Sequence, residues 1–198
     1  MKTNIIVILD PGHGQETPGK RSPDGNLREY AWARDVATRL IAELKKRGLD
    51  AERIVTEETD ISLRERCRRV NAICAKLGSK NVMLISIHIN AAKSDGRWHD
   101  ASGWSVWIAP NASQKSKILA QTLYDEAAKR NLKGNRSVPS CRYWIGNFAI
   151  VRDTNCPAVL TENLFQDNKD EVEFLMSERG KQEIVNLHAD AIQKYISL

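Results

Sequence analysis

Two apolar runs decide how this chain folds: Ile5-Ile6-Val7-Ile8-Leu9-Asp10-Pro11-Gly12-His13 and Val82-Met83-Leu84-Ile85-Ser86-Ile87-His88. Each is continuously apolar, of strand length and rich in β-branched residues, which is the pattern of a parallel strand covered on both faces. Each ends on a histidine, at the sheet edge where open α/β folds build their sites. A third such run, Ala158-Val159-Leu160-Thr161-Glu162, delivers a carboxylate to what could be the same edge. Glu29 lies between the two histidines in sequence. Two histidines and a carboxylate are the donor set of a catalytic metal site that keeps one position for water. Metal-assisted hydrolysis is the chemistry this pattern points to.

Around these runs the chain alternates strand and helix. Strand 1 is read as Asn4–Leu9, directly after Met1-Lys2-Thr3. A long Gly- and Pro-rich loop covers 11–28, and a helix with one apolar face (Ala33, Val36, Ala37, Leu40, Ile41, Leu44) runs from about Glu29 to Arg47 and stops at Gly48. A short strand falls near 51–55. Ser62-Leu63-Arg64-Glu65 reads as a capping box opening a helix to about Leu77. Residues 103–109 alternate like a half-exposed strand, a helix spans about 113–130, and strands are expected near 148–151 and 158–161. Helical sequence follows from about Asp170. The fold class expected is α/β, one domain over residues 1–198, with a mostly parallel or mixed sheet of about six strands and helices on both faces.

Composition narrows the function. Apolar residues make up 41% and charged residues 28%, as in an ordinary globular protein. The net charge of +5 is spread along the chain, so no nucleic-acid stripe is expected. No run approaches the roughly 20 apolar residues of a membrane span, and no secretory signal is visible, so synthesis in the cytoplasm is expected. Cys67, Cys74, Cys141 and Cys156 form no CxxC pair. On one helix, Cys67 and Cys74 would lie about 10 Å apart, too far for a disulfide, so reduced thiols are expected.

The ordered motifs Leu9-Asp10-Pro11-Gly12-His13-Gly14, Glu29 opening a helix, Ser86-Ile87-His88-Ile89-Asn90 and Pro157 to Phe165 around Glu162 resemble the zinc-dependent N-acetylmuramoyl-L-alanine amidases of cell-wall turnover. The helix Leu63 to Ala72, with Arg64, Arg66 and Asn71, is similar to the family's helix before the SIH motif. The resemblance covers essentially the whole chain. It implies that His13, Glu29 and His88 bind one Zn²⁺ and that Glu162 is the catalytic carboxylate. It implies peptidoglycan or muropeptides as substrate, cut between N-acetylmuramic acid and L-alanine. Other readings are a zinc amidohydrolase or carboxypeptidase acting on another amide, and a non-catalytic wall-binding domain. Leu164 departs from the family, which has a small residue or glycine there, and the stretch 15–20 is atypical.

Substrate contacts are expected from Asn90, from Arg21 and Arg28 of the long loop, and from Trp98 and Trp144 as stacking surfaces. Asp10 is read either as a partner orienting His13 or as a cap on the turn after strand 1. His188, on an apolar helix stripe, is expected in the core, His99 in solvent, and Trp104 and Trp107 in packing. The monomer is the assumed state. A wall enzyme without a visible leader fits a phage or prophage lysis enzyme released through a membrane pore, and a leaderless housekeeping amidase is the competing account.

Overall fold

The computed structural model describes residues 4–198; residues 1–3 lie outside the described residues. Six strands form one sheet in the order β2-β1-β3-β6-β4-β5. They are β1 (Ile6–Pro11), β2 (Asp50–Arg53), β3 (Val82–Asn90), β4 (Ser105–Ile108), β5 (Trp144–Ile145) and β6 (Ala158–Phe165). β2, β1, β3 and β6 are mutually parallel, and β4 runs antiparallel to β6. The helices are α1 (Glu29–Lys46), α2 (Leu63–Leu77), α3 (Gln114–Lys129), α4 (Ala149–Arg152), α5 (Lys169–Met176) and α6 (Glu178–Ile196). The expected mixed α/β sheet of about six strands is the observed fold.

The two sheet faces bury different partners because side chains alternate along each strand. Val7, Leu9, Met83, Ile85 and Ile87 join the larger core, under α1, α3, α5 and α6. Ile8, Leu84, Ala158 and Leu160 join the smaller one, with Val70 and Cys74 of α2 and Ile150 and Val151 of α4. In register, Asp10 pairs with Ser86, Ser86 with Leu160 and His88 with Glu162. These polar residues therefore share the smaller face, at the carboxyl ends of the parallel strands.

Local signals set the helix ends. Ser62 accepts from the Glu65 N–H at 3.3 Å and Ser113 from the Ser116 N–H at 3.1 Å. Glu65 does not complete the box; its carboxylate turns to Arg68 and Arg69 instead. Two expectations are corrected. Residues 148–151 are not a strand: Phe148 caps the short helix α4, closed by the Asp153 N–H on the Ala149 carbonyl at 2.8 Å. Four apolar residues carry too little periodicity to separate the two forms. β4 is not half-exposed either, since α3 covers one face and only Trp107 stays partly open. The sheet's last strand is instead β5, two residues pairing Trp144 with Trp107.

All four cysteines are free. His188 is fully buried, between the Ile184 carbonyl and the Thr161 hydroxyl, and Trp104 is buried with its indole N–H on Asn163. His99 pairs with Asp95 at 2.9 Å. Among the described residues, no helix is long and apolar enough to cross a membrane.

Candidate metal centre

His13 follows β1 directly, and the backbone there is drawn tight. Gly12 passes so close to the His88 ring that a Cβ would lie 2.4 Å from it, so only glycine fits. His13 itself takes a left-handed φ of 60°, uncommon for a side-chain-bearing residue. Its carbonyl is held there by the guanidinium groups of Arg34 and Arg66, each at 3.0 Å.

Glu29 opens α1 on the opposite face and reaches over the end of β3. The long loop folds back to place it: the Glu29 N–H donates to the Lys20 carbonyl, and Ser22 with buried Leu27 ties the turn between them. Glu29 is fully buried, and its Oε1 accepts from the Ile89 N–H at 2.9 Å.

Three donor atoms then converge. His88 Nδ1 lies 3.2 Å from His13 Nε2 and 3.1 Å from Glu29 Oε1, and His13 Nε2 lies 3.4 Å from the same oxygen. Ligands about 2.0–2.1 Å from a tetrahedral zinc are separated by about 3.3–3.4 Å, so this triangle has the size of one face of such a site. The second oxygen, Glu29 Oε2, is buried with no partner. Burial alone would raise the Glu29 carboxyl, but hydrogen bonding to His13 and His88 outweighs it and holds the group well below the usual range. A carboxylate kept ionised beside two imidazoles fits a divalent cation.

The tautomer of His88 follows from its partners. The Ser86 hydroxyl donates to Asp10 Oδ2 at 2.6 Å, so its oxygen accepts from His88 Nε2–H, 3.1 Å away. That leaves Nδ1 with its lone pair facing the donor triangle. Arg66 donates to Asp10 Oδ1 at 2.7 Å in a buried ion pair. Asp10 thus serves His88 through Ser86, and no bond joins it to His13 among the described residues. Ser86 and Arg66 carry no separate signal beyond their places in the motifs.

Glu162 stands across the β3–β6 ladder from His88. Its Oε2 is sealed from solvent and has no partner. Burial pushes its carboxyl up to about 7, with the His88 charge opposing and Glu29 adding to the rise. A groove of about 370 Å³ runs past His13, His88 and Glu162, walled by Ile61, Leu63, Phe148, Ile150 and Leu160, with Lys20 as its loop-borne cation.

The expected substrate contacts sit elsewhere. Arg28 donates to the Gln15 carbonyl and stacks on Tyr30, and Arg21 lines a separate, smaller cleft with Lys93 and Gln166. Asn90 ends β3 with its Oδ1 on the Ala91 N–H, Trp98 is exposed, and Trp144 packs on Trp107 and Tyr124. None of the five lines the groove. Lys20 and the apolar wall around Phe148 were missed because neither belongs to a motif.

Comparison with known proteins meets this geometry. A sequence model of the N-acetylmuramoyl-L-alanine amidase family (Amidase_3) matches residues 7–194. The chain belongs to this family. Among curated amidases and lysins it is 26% identical to the endolysin of Bacillus phage SPP1, over 98% of this chain and 66% of that protein. It is 24% identical to the N-acetylmuramoyl-L-alanine amidase CwlM of Bacillus licheniformis, over 98% of this chain and 70% of that protein. The chain thus spans about two thirds of the length of these relatives. The crystal structure of an N-acetylmuramoyl-L-alanine amidase from Clostridium difficile 630 superposes with a TM-score of 0.82 at 26% identity, covering 100% of this chain and 98% of that one. The amidase AmiC2 of Nostoc punctiforme shares the fold, with a TM-score of 0.81 at 22% identity and all of both chains covered. The family fold and the His-Glu-His cluster thus come together in one molecule.

Proposed function

We propose that this chain is a zinc-dependent amidase that hydrolyses the bond between the lactyl carbonyl of N-acetylmuramic acid and the amine of L-alanine in peptidoglycan, acting as a lysis enzyme. The observation that carries it is the donor triangle of His13, Glu29 and His88 with the partnerless carboxylate of Glu162 beside it. His13, Glu29 and His88 would hold one zinc, which when bound supplies Lewis acidity toward the scissile carbonyl and acidifies a water. Glu162 takes a proton from the attacking water and returns it to the departing alanine nitrogen as the C–N bond breaks. Its elevated pKa suits both steps, since a group titrating near neutrality can accept and release a proton. Asp10, Ser86 and Arg66 keep His88 in the tautomer that presents Nδ1. The apolar groove wall excludes water from the side where Leu160 and Ile150 pack. The likeness to the SPP1 endolysin supports the lytic role, and residues 1–198 act as one catalytic domain.

Glu162→Gln tests the reading. The variant should retain one zinc per chain by elemental analysis and lose about 10²–10⁴-fold in turnover of purified peptidoglycan. Turnover near that of the wild type would move the base elsewhere.

A further inference from the structure

Arg136 is a guanidinium held in place with nothing to bind. Its Cζ lies 5.1 Å from the ring centre of Trp144 and 5.0 Å from that of Phe165, clamped between the two. Nη2 is buried without a partner, and no hydrogen bond or ion pair joins this side chain to another among the described residues. Two acids share its surroundings. Glu171 has both oxygens committed to backbone, accepting from Gly103 N–H at 2.7 Å and Phe165 N–H at 2.8 Å. Glu162 keeps its sealed Oε2 unpartnered and feels the Arg136 charge.

The segment bearing Arg136 is fixed beforehand. Asn135 exchanges hydrogen bonds with Ser102 and donates to the Asp100 carbonyl. At the crossing of these loops Gly134 approaches Ser102 so closely that a Cβ would sit 2.1 Å from its carbonyl oxygen. The guanidinium is therefore placed by rigid neighbours on both sides.

Two stacked rings contribute about 0.5–2 kcal/mol each. The residue keeps part of its surface in solvent, but the sealed Nη2 has given up water without gaining a protein acceptor. Packing against the two rings leaves that donor unanswered. A clamped, partnerless guanidinium has the fork geometry that takes a carboxylate through two parallel N–H bonds.

Arg136 stands outside the lining of the groove. We propose that it is the specificity residue of the amidase reaction, binding the first free carboxylate of the stem peptide where that peptide leaves the groove. This rests on the amidase reading above. The chemistry of the substrate fixes the side. The muramic carboxyl is consumed in the amide and the acetylated sugars are neutral, so every free carboxylate lies on the peptide. Alanine's own carboxyl is in a peptide bond. The nearest free carboxylate is the α-carboxylate of a second residue, a glutamate linked through its side chain, and amidated stems replace it with a neutral carboxamide.

The test is a matched pair of muropeptides that differ only in that group, carboxylate or carboxamide, with kcat and KM measured for each on zinc-loaded protein. The wild type should favour the free acid by about tenfold or more in kcat/KM, mainly through KM. Arg136→Met should bring the ratio near one with zinc content unchanged, and Arg136→Lys, which keeps the charge and loses the fork, should fall between. Calorimetric binding of the same pair to Glu162→Gln gives the ratio without turnover. A packing role for Arg136 would lower Tm in Arg136→Met without moving the ratio. If Arg136→Met fails to fold, the wild-type ratio and Arg136→Lys decide. Equal use of both substrates by the wild type, or an undiminished preference in the variants, overturns the assignment. No cleavage of either substrate by the wild type would overturn the amidase reading itself.

Discussion

Glu162 and Glu29 both lie beside His88, and their surroundings drive them in opposite directions. Glu29 is buried against two imidazoles and stays ionised; Glu162 is half-buried, its sealed Oε2 lacks a donor, and its carboxyl rises to about 7. The consequence for stability has a definite sign. A carboxyl whose folded pKa is raised binds protons more tightly in the folded state, so its contribution is present below the unfolded value near 4.5 and is lost as pH rises through about 7. In metal-free protein, Glu162→Gln should therefore be more stable than the wild type above pH 7, and the gap should close toward pH 5. Thermal melts in chelator across that range check it. A proton also competes with metal at His88, where the hydrogen bond and charge of Glu29 outweigh burial and raise the pKa, so zinc affinity should weaken as pH falls, measured by competition with a chromogenic chelator.

The strand-to-loop turns are where the His-Glu-His donor cluster is made. Gly12→Ala would place a Cβ 2.4 Å from the His88 ring, which can yield only by leaving the donor triangle. Zinc affinity should fall about 10- to 100-fold, comparable to loss of an orienting partner, with the fold retained by circular dichroism. β6 carries a second turn of interest. Leu164 has a φ of 68° yet is buried, at the irregularity where the β3–β6 register shifts after His88. Left-handed backbone costs a branched side chain about 1–2 kcal/mol, whereas burying leucine contributes about 1.5–3 kcal/mol and leaving its cavity costs more. Burial wins, so Leu164→Gly should lower stability by about 1–2 kcal/mol in denaturant melts despite relieving the backbone. The backbone here explains why a small residue or glycine is the family habit at this position. Elements with strong periodicity, β1, β3, β6, α1 and α2, were legible in the sequence, as was the candidate set of His13, Glu29, His88 and Glu162 that they bring together. β5 and α4 were not, because two and four residues carry no period and owe their form to Trp107 and the α2 core. The groove wall and Arg136 were illegible for a related reason: their roles come from segments distant in the chain that meet only on folding.

At the scale of the molecule, the sheet divides its labour between faces. The larger core under α1, α3, α5 and α6 supplies rigidity, and the smaller face under α2 and α4 leaves the carboxyl ends of four parallel strands open to substrate. A ligand that binds only the folded state stabilises it by mass action, about 4 kcal/mol at a thousandfold excess over Kd. Zinc at His13, Glu29 and His88 should accordingly raise Tm by several degrees, and His88→Ala should abolish that rise. Mass spectrometry of the products from purified peptidoglycan incubated with zinc-loaded protein shows directly which bond is cut. Amidase action yields intact glycan carrying free lactyl carboxylates together with stem peptides bearing a new L-alanine amino terminus. Products cut within the peptide or within the glycan, with the muramoyl–alanine amide intact, would contradict it.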